Sequence, residues 1–226
     1  MRPWEELPEF MKCDEVKEYY DILAKKRFSL KVKRIFDVVA SLGMILICLI
    51  PMIIISIKIA TESRGGVLYR QERITAYGKK FMIHKFRTMV ADADQMGAAV
   101  TVAGDSRITP TGAFLRKYRL DELPQLFDVL DGNMSFVGTR PEVEKYVQKY
   151  TTEMKATLLL PAGITSEASI RYKDEEKLLK DVDDIDQVYV NRILPDKMKY
   201  NLKAIRNFTF RDEIATMLRT LSLIHI

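Results

Sequence analysis

The chain has 226 residues, with 36 Lys plus Arg against 31 Asp plus Glu, and a net charge of +5. That length suits one domain with an appendage and a substantial core. Two cysteines, Cys13 and Cys48, form neither a disulfide framework nor a metal knuckle and point the bulk of the chain to a reducing compartment; two histidines, His84 and His225, exclude a histidine-rich metal site.

In chain order, "CDEVKEYYDIL" places Val16, Tyr19, Tyr20 and Leu23 at helical spacing, as a packing or interfacial helix. "KKRFSLKVKR", residues 25–34, carries six positive charges and no negative one. Next to an apolar segment, such a run reads as an anchor on anionic headgroups rather than a nucleic-acid site, so no nucleic acid is expected as a partner. The twenty residues Val38 to Ile57 are uncharged, enough to match the hydrocarbon of a membrane. Pro51 lies inside them, where it removes a helical hydrogen bond and predicts a kink or break near residues 47–51. Cations flank the segment on both sides, with Lys58, Arg64, Arg70 and Arg73 following it. If positive flanks stay cytoplasmic, both ends belong on one side. The reading is a helix, break, helix hairpin that enters one leaflet and returns.

Beyond "SRGG" the text is mixed. "VLYRQERI" and "KKFMIHKFRTM" read as two short strands joined through "TAYGKK" as a hairpin, with His84 packing or bonding locally. "ADADQMGAAVTVAGD" reads as a helix and a loop. Pro110 or Thr111 starts a short helix through Tyr118. Asp121 caps a second helix running to about Leu130, with Pro124 in its first turn, where the missing N–H costs little. From Glu142 a helix through Tyr150 and beyond is expected, then a turn at "LLLPAGIT", an acidic segment around "DEEKLLKDVDDID", and an amphipathic helix from about Pro195 to Leu221. The expected fold is α+β and predominantly helical, a membrane-associated domain with an N-terminal re-entrant hairpin. Its parts are residues 1–34 as amphipathic helix and basic flank, 35–60 as membrane hairpin, and 61–226 as cytoplasmic catalytic domain.

The stretch "YRLDELPQL", residues 118–126, sets Asp121 and Glu122 side by side ahead of a proline. Adjacent residues at a helix start do not face each other, which excludes a symmetric acid/base pair. They can divide labour, one carboxylate attacking phosphorus while the other holds Mg²⁺ with substrate phosphate oxygens. N-capping with an ion pair to Arg116 or Arg119 is the structural alternative. Phosphoryl chemistry also needs cations, and Arg87 in "KFRTM", Arg107 in "GDSRIT" and Arg140 in "GTRP" are candidates.

"KRIFDVVAS", the apolar run with Pro51, "RQERI", "KFRTM", "DSRIT", "GAFLRKYRLDELPQL", "DGNMSFVGTRP" and "PAGIT" together resemble, in the same order, the motifs of bacterial sugar transferases. These are the monotopic phosphoglycosyl transferases, also called polyprenyl glycosylphosphotransferases. The likeness covers about residues 33–221. It implies transfer of a sugar 1-phosphate from a nucleotide sugar donor, a UDP-sugar, to polyprenyl (undecaprenyl) phosphate, with nucleoside monophosphate released and a membrane-linked glycan begun. Carried over by position, Asp121 would be the nucleophile and Glu122 would coordinate Mg²⁺ beside it. Arg140 would bind phosphate and, through "GITSEAS", Arg171 phosphate or donor, beside Arg107, Arg87 and Arg116, the phosphate-binding cations that the chemistry itself suggests. The resemblance further implies the bacterial inner membrane, with the catalytic domain on its cytoplasmic face, membrane lipid as a partner and room for a homo-oligomer. Two other readings compete: a non-enzymatic membrane adaptor of a glycan assembly complex, and a glycosyltransferase with a D-x-D metal site at "DAD", residues 92–94, or "DVD", residues 181–183. This chain carries "VGTRP" where many relatives have "VGPRP", and "GITSEAS" where many have "GITGWAQ".

Overall fold

The N-terminal residues fold onto the domain rather than away from it. In the computed structural model, which describes residues 1–91, 93, 105–179, 182 and 184–224, α1 (Asp14–Ala24) buries Val16, Tyr19, Tyr20 and Leu23. They pack in one core with Leu159, Met198 and Leu202. The helical spacing thus marks a core face, not an interfacial one.

The apolar segment forms part of α2, a continuous 36-residue helix from Arg27 to Glu62 with Pro51 inside it. At about 1.5 Å per residue it is about 54 Å long. The expected interruption at residues 47–51 is not there. Proline removes one hydrogen bond, to the carbonyl of Ile47, and an exposed face lets the ring be accommodated without ending the helix. Lys33, Asp37, Ser41, Ile45, Met52 and Ile59 form a single buried stripe at spacings of four and seven. Ile45 packs with Phe81, Ile83 and Leu126, and Met52 and Ile59 pack with Phe86 and Leu115. The other faces leave Leu46, Ile47, Ile50, Ile53, Ile54 and Ile57 exposed.

Both ends of α2 are tied to the same domain. Arg34 donates to the carbonyls of Val129 (2.6 Å) and Leu130 (2.8 Å), and at the far end the Thr111 amide donates to Glu62 (3.0 Å). The basic run is therefore only partly free for headgroups. Lys26 donates to the Phe208 carbonyl, and Lys33 is buried against Val137 and Glu213, while Lys25, Arg27 and Lys31 stay exposed.

The hairpin is as expected: β1 (Leu68–Ile74) pairs antiparallel with β2 (Lys80–Phe86), Leu68 opposite Phe86 and Ile74 opposite Lys80. Tyr77 (φ 60°) and Gly78 (φ 73°) turn the chain between them. α3 (Pro110–Lys117) starts with the Thr109 hydroxyl accepting from the Gly112 amide. α4 (Gln125–Asp131) follows the carboxylate pair. A second pair of strands, β3 (Met134–Val137) and β4 (Ala162–Thr165), runs parallel in positions read as loop and turn. Four residues, mostly buried on both faces, leave no alternation to detect.

The expected helix from Glu142 is one turn, α5 (Glu144–Val147), with 3₁₀ turns at Glu153–Leu159. Then come α6 (Glu167–Arg171), α7 (Glu175–Leu178) and α8 (Ile185–Val188). The last expected helix is two: α9 (Leu194–Arg206) and α10 (Phe210–Ile224). Thr209 separates them by capping, its hydroxyl accepting from the Asp212 amide at 3.1 Å and donating to the Asp212 carboxylate at 2.7 Å. The segment read as helix and loop at 91–105 lies largely outside the described residues, as does His225.

Candidate active site

Asp121 and Glu122 stand on a 3₁₀ turn, Leu120–Glu122, rather than at a helix cap. Arg119 precedes it in the left-handed region (φ 55°, ψ 23°), and α4 starts only after Pro124, without a side-chain cap. The capping role expected of Asp121 is thereby corrected: its side chain turns inward, 7% exposed, and its Oδ1 is buried with no hydrogen-bond partner. A non-glycine residue in that conformation costs about 1–2 kcal/mol, and such strain gathers at working sites.

Glu122 is the electrostatic pivot. Its Oε1 accepts from Lys85 Nζ at 2.9 Å and from Arg140 Nη2 at 2.6 Å. Burial works to raise the Glu122 pKa, but Arg140 and Lys85 outweigh it and hold the carboxyl well below the usual range. Glu122 in turn raises the Arg140 pKa. Asp121 is the opposite case. Burial pushes its pKa up, with Glu122 adding to the rise and Lys85, Arg116 and Arg140 opposing it. One carboxylate is thus fully ionised and paired, and the other is desolvated, more basic and unpaired.

Lys85 comes from β2 and Arg140 from the loop after β3. That loop is set by two glycines: the Gly138 amide donates to the Thr165 carbonyl (3.0 Å) and the Gly163 amide to the Thr139 carbonyl (2.9 Å). A Cβ on Gly163 would lie 2.1 Å from the Gly138 nitrogen, so only glycine lets "VGTRP" and "PAGIT" approach this closely. Arg116, on α3, donates through Nε to Thr88 Oγ1 at 2.9 Å.

Glu122, Arg116 and Arg140 line an open cleft of about 1320 Å³, with Arg73, Arg119 and Lys173 also on its walls; Asp121 is not among the wall residues but feels the charges of Glu122, Lys85, Arg116 and Arg140. Three other expected phosphate ligands are elsewhere. Arg87 closes the exit of α2, donating to the carbonyls of Ser63 and Arg64, both at 2.8 Å. Arg107 is held by Asp105 (Nη2–Oδ2 2.6 Å) and donates to the Ala93 carbonyl. Arg171 pairs with Glu167 (3.1 Å) and stacks over Tyr200, in a separate cavity of about 340 Å³. Lys85 was not among the sequence candidates, although "KFRTM" contains it. His84 bonds locally, as expected, through its ring to buried Asp128 (2.8 Å).

A profile described as bacterial sugar transferase matches residues 28–225, nearly the whole chain. The chain belongs to the bacterial sugar transferase family. A *Bacillus subtilis* protein provisionally named an undecaprenyl-phosphate N-acetylgalactosaminyl 1-phosphate transferase is 40% identical over 149 residues, 66% of this sugar transferase and 82% of that protein. The undecaprenyl-phosphate galactose phosphotransferase of *Salmonella typhimurium* is 32% identical over 210 residues, 86% of this chain but 40% of its own length. The UDP-glucose:undecaprenyl-phosphate glucose-1-phosphate transferase of *Klebsiella pneumoniae* is 37% identical over 142 residues, 61% of this chain and 30% of its own length. The sugar transferase thus spans less than half of the latter two relatives.

The site also bears on a metal ion. Among the described residues no group of three or more His, Cys, Asp or Glu side chains is arranged to hold one. Mg²⁺ needs fewer, usually one or two carboxylates with substrate phosphate completing the shell, and Asp121 offers a buried acceptor oxygen with no partner. The donor set fits an ion that arrives with a phosphorylated substrate. The aspartates of both D-x-D patterns lie outside the described residues.

Proposed function

We propose that this sugar transferase moves a sugar 1-phosphate from a UDP-sugar to polyprenyl (undecaprenyl) phosphate through a covalent phosphosugar on Asp121, starting a membrane-linked glycan. The observation that carries the reading is the pair of unlike carboxylates, Asp121 buried and unpartnered, Glu122 clamped by Lys85 and Arg140. In the first step an Asp121 oxygen bonds to the sugar-bearing phosphorus. The phosphorus–oxygen bond to the bridging oxygen breaks, and nucleoside monophosphate leaves with the electron pair. In the second, a phosphate oxygen of the lipid attacks the same phosphorus and Asp121 leaves as carboxylate. Neither step needs a histidine.

Burial makes Asp121 a stronger nucleophile than a solvated carboxylate, and Lys85, Arg116 and Arg140 offset charge on the phosphoryl oxygens. Glu122, by engaging both Lys85 and Arg140, fixes where those cations stand. Asp121 and Glu122 would hold Mg²⁺, which when bound would neutralise substrate phosphate charge.

For the membrane, the same reading places α2 in one leaflet with both flanks on the cytoplasmic face of the inner membrane. Ile45, Met52 and Ile59 lie against the hairpin and α3, so a spanning α2 would carry polar strands into the hydrocarbon with it. A bend at Pro51 within the continuous helix would let both ends stay at the interface. The exposed apolar faces then meet lipid and keep the polyprenyl acceptor beside the cleft.

The test is nucleotide release by protein held in nanodiscs, with Mg²⁺, UDP-sugars and undecaprenyl phosphate. UMP from wild type, and at least about a thousandfold less from Asp121→Asn, is expected. UDP as the product would overturn the reading.

A further inference from the structure

Arg73 is one of the cleft cations, with Arg119 and Lys173, that the proposed reaction does not use. It stands in β1 opposite Phe81, and its guanidinium is oriented by neutral acceptors only. Nε and Nη2 donate to Gln71 Oε1 at 3.1 and 2.6 Å, and Nη1 donates to the Pro141 carbonyl at 3.2 Å. Gln71 lies two residues back on the same face of the strand, which suits it to fix the fork without neutralising it. Among the described residues no carboxylate forms an ion pair with Arg73, whereas Arg140, one residue before Pro141, is paired to Glu122. Burial lowers the Arg73 pKa, Glu142 raises it, and the neighbouring Arg140 lowers it again. Arg73 is partly buried, its hydrogen bonds go to neutral groups beside a second guanidinium, and the nearby Glu142 is engaged by Tyr189 (2.5 Å) and Lys197 (3.7 Å), so Arg73 meets an incoming anion without a directly paired carboxylate. The planar fork matches a phosphate better than any other common anion in this chemistry.

We propose that Arg73, together with Arg140, binds the phosphate of the departing nucleoside monophosphate. This rests on the phosphoglycosyl reading of the cleft. As the bridging bond breaks, the electron pair ends on that phosphate, and Arg73 meets the charge where it develops. Its contribution belongs to the first step alone, because the nucleotide has gone before the lipid phosphate attacks.

Full-length protein in nanodiscs tests this with Arg73→Gln and Arg73→Lys. UMP binding by calorimetry is expected to weaken at least about tenfold in Arg73→Gln and less in Arg73→Lys, with binding of uridine, which lacks the phosphate, unchanged. Exchange of labelled UMP into the UDP-sugar is expected to slow in parallel. Transfer from preformed phosphosugar enzyme to undecaprenyl phosphate should stay within about twofold. Unchanged UMP affinity in Arg73→Gln would overturn the assignment. So would an equal fall in UMP binding, uridine binding and the second step, the mark of a structural role. Failure of the underlying reading is separable: wild type would then bind UMP through Arg73 yet form no phosphosugar adduct.

Discussion

Asp121 places reactivity and stability in opposition. Its pKa in the fold lies above the ordinary aspartate value because burial disfavours the charge. The sign follows: above the unfolded-state pKa the ionised buried group costs stability, and below it both states are protonated and the cost vanishes. Asp121→Asn is therefore expected to melt at a higher temperature than wild type at pH 7, with the gap closing as pH falls through the carboxylate range. Melting curves of both proteins across pH 4–8 check this, and the first step of wild type should lose rate on acidification at a pH above the usual aspartate range. Much of this residue-level arrangement could be read in advance. The adjacency of Asp121 and Glu122 and the arginine of "GTRP" named three residues that the fold brings together. The rest could not, because "KFRTM" and "DSRIT" offer several cations of equal standing. Only the strand placement of Lys85 and the spending of Arg87 on the Ser63 and Arg64 carbonyls just past α2 and Arg107 on Asp105 separate them.

Among elements, the β3–β4 crossing does most to place the arginine loop. Gly163→Ala would set a methyl against Gly138 backbone atoms at 2.1–2.5 Å, which backbone can relieve only by moving. The expected cost is about 1–3 kcal/mol of stability. Activity should fall further than the lost folded fraction explains, because Arg140 moves relative to Glu122; denaturant titration and initial rates on one preparation check both. The hairpin and α3 were legible from two short runs joined through "TAYGKK" and from a helix start at Pro110. β3 and β4 were not, being four residues each and buried, and the division of α9 from α10 lay in the Thr209–Asp212 cap inside an otherwise periodic run. Pro51 misled as to a break, since loss of one hydrogen bond does not end a helix whose buried stripe continues past it.

For the whole molecule, the decisive relation is that α2 meets the domain along its length while showing its remaining apolar faces outward. Arg27→Cys and Arg64→Cys, in a Cys13→Ser, Cys48→Ala background, should both react with an impermeant maleimide from the cytoplasmic side of sealed vesicles. Labelling from opposite sides would mean a spanning helix. The sequence supports the same-side placement through its charged flanks, but not how α2 lies on its own domain, which depends on contacts with Phe81, Ile83, Phe86 and Leu115 far along the chain. The central claim is that one buried aspartate carries the sugar phosphate between donor and lipid. Intact-mass measurement of protein incubated with UDP-sugar and Mg²⁺ in the absence of lipid acceptor tests it most directly. The account predicts a gain equal to the sugar phosphate, mapped to Asp121 and lost on adding undecaprenyl phosphate. UMP release that occurs only when the lipid is present, with no adduct at any time, would contradict it.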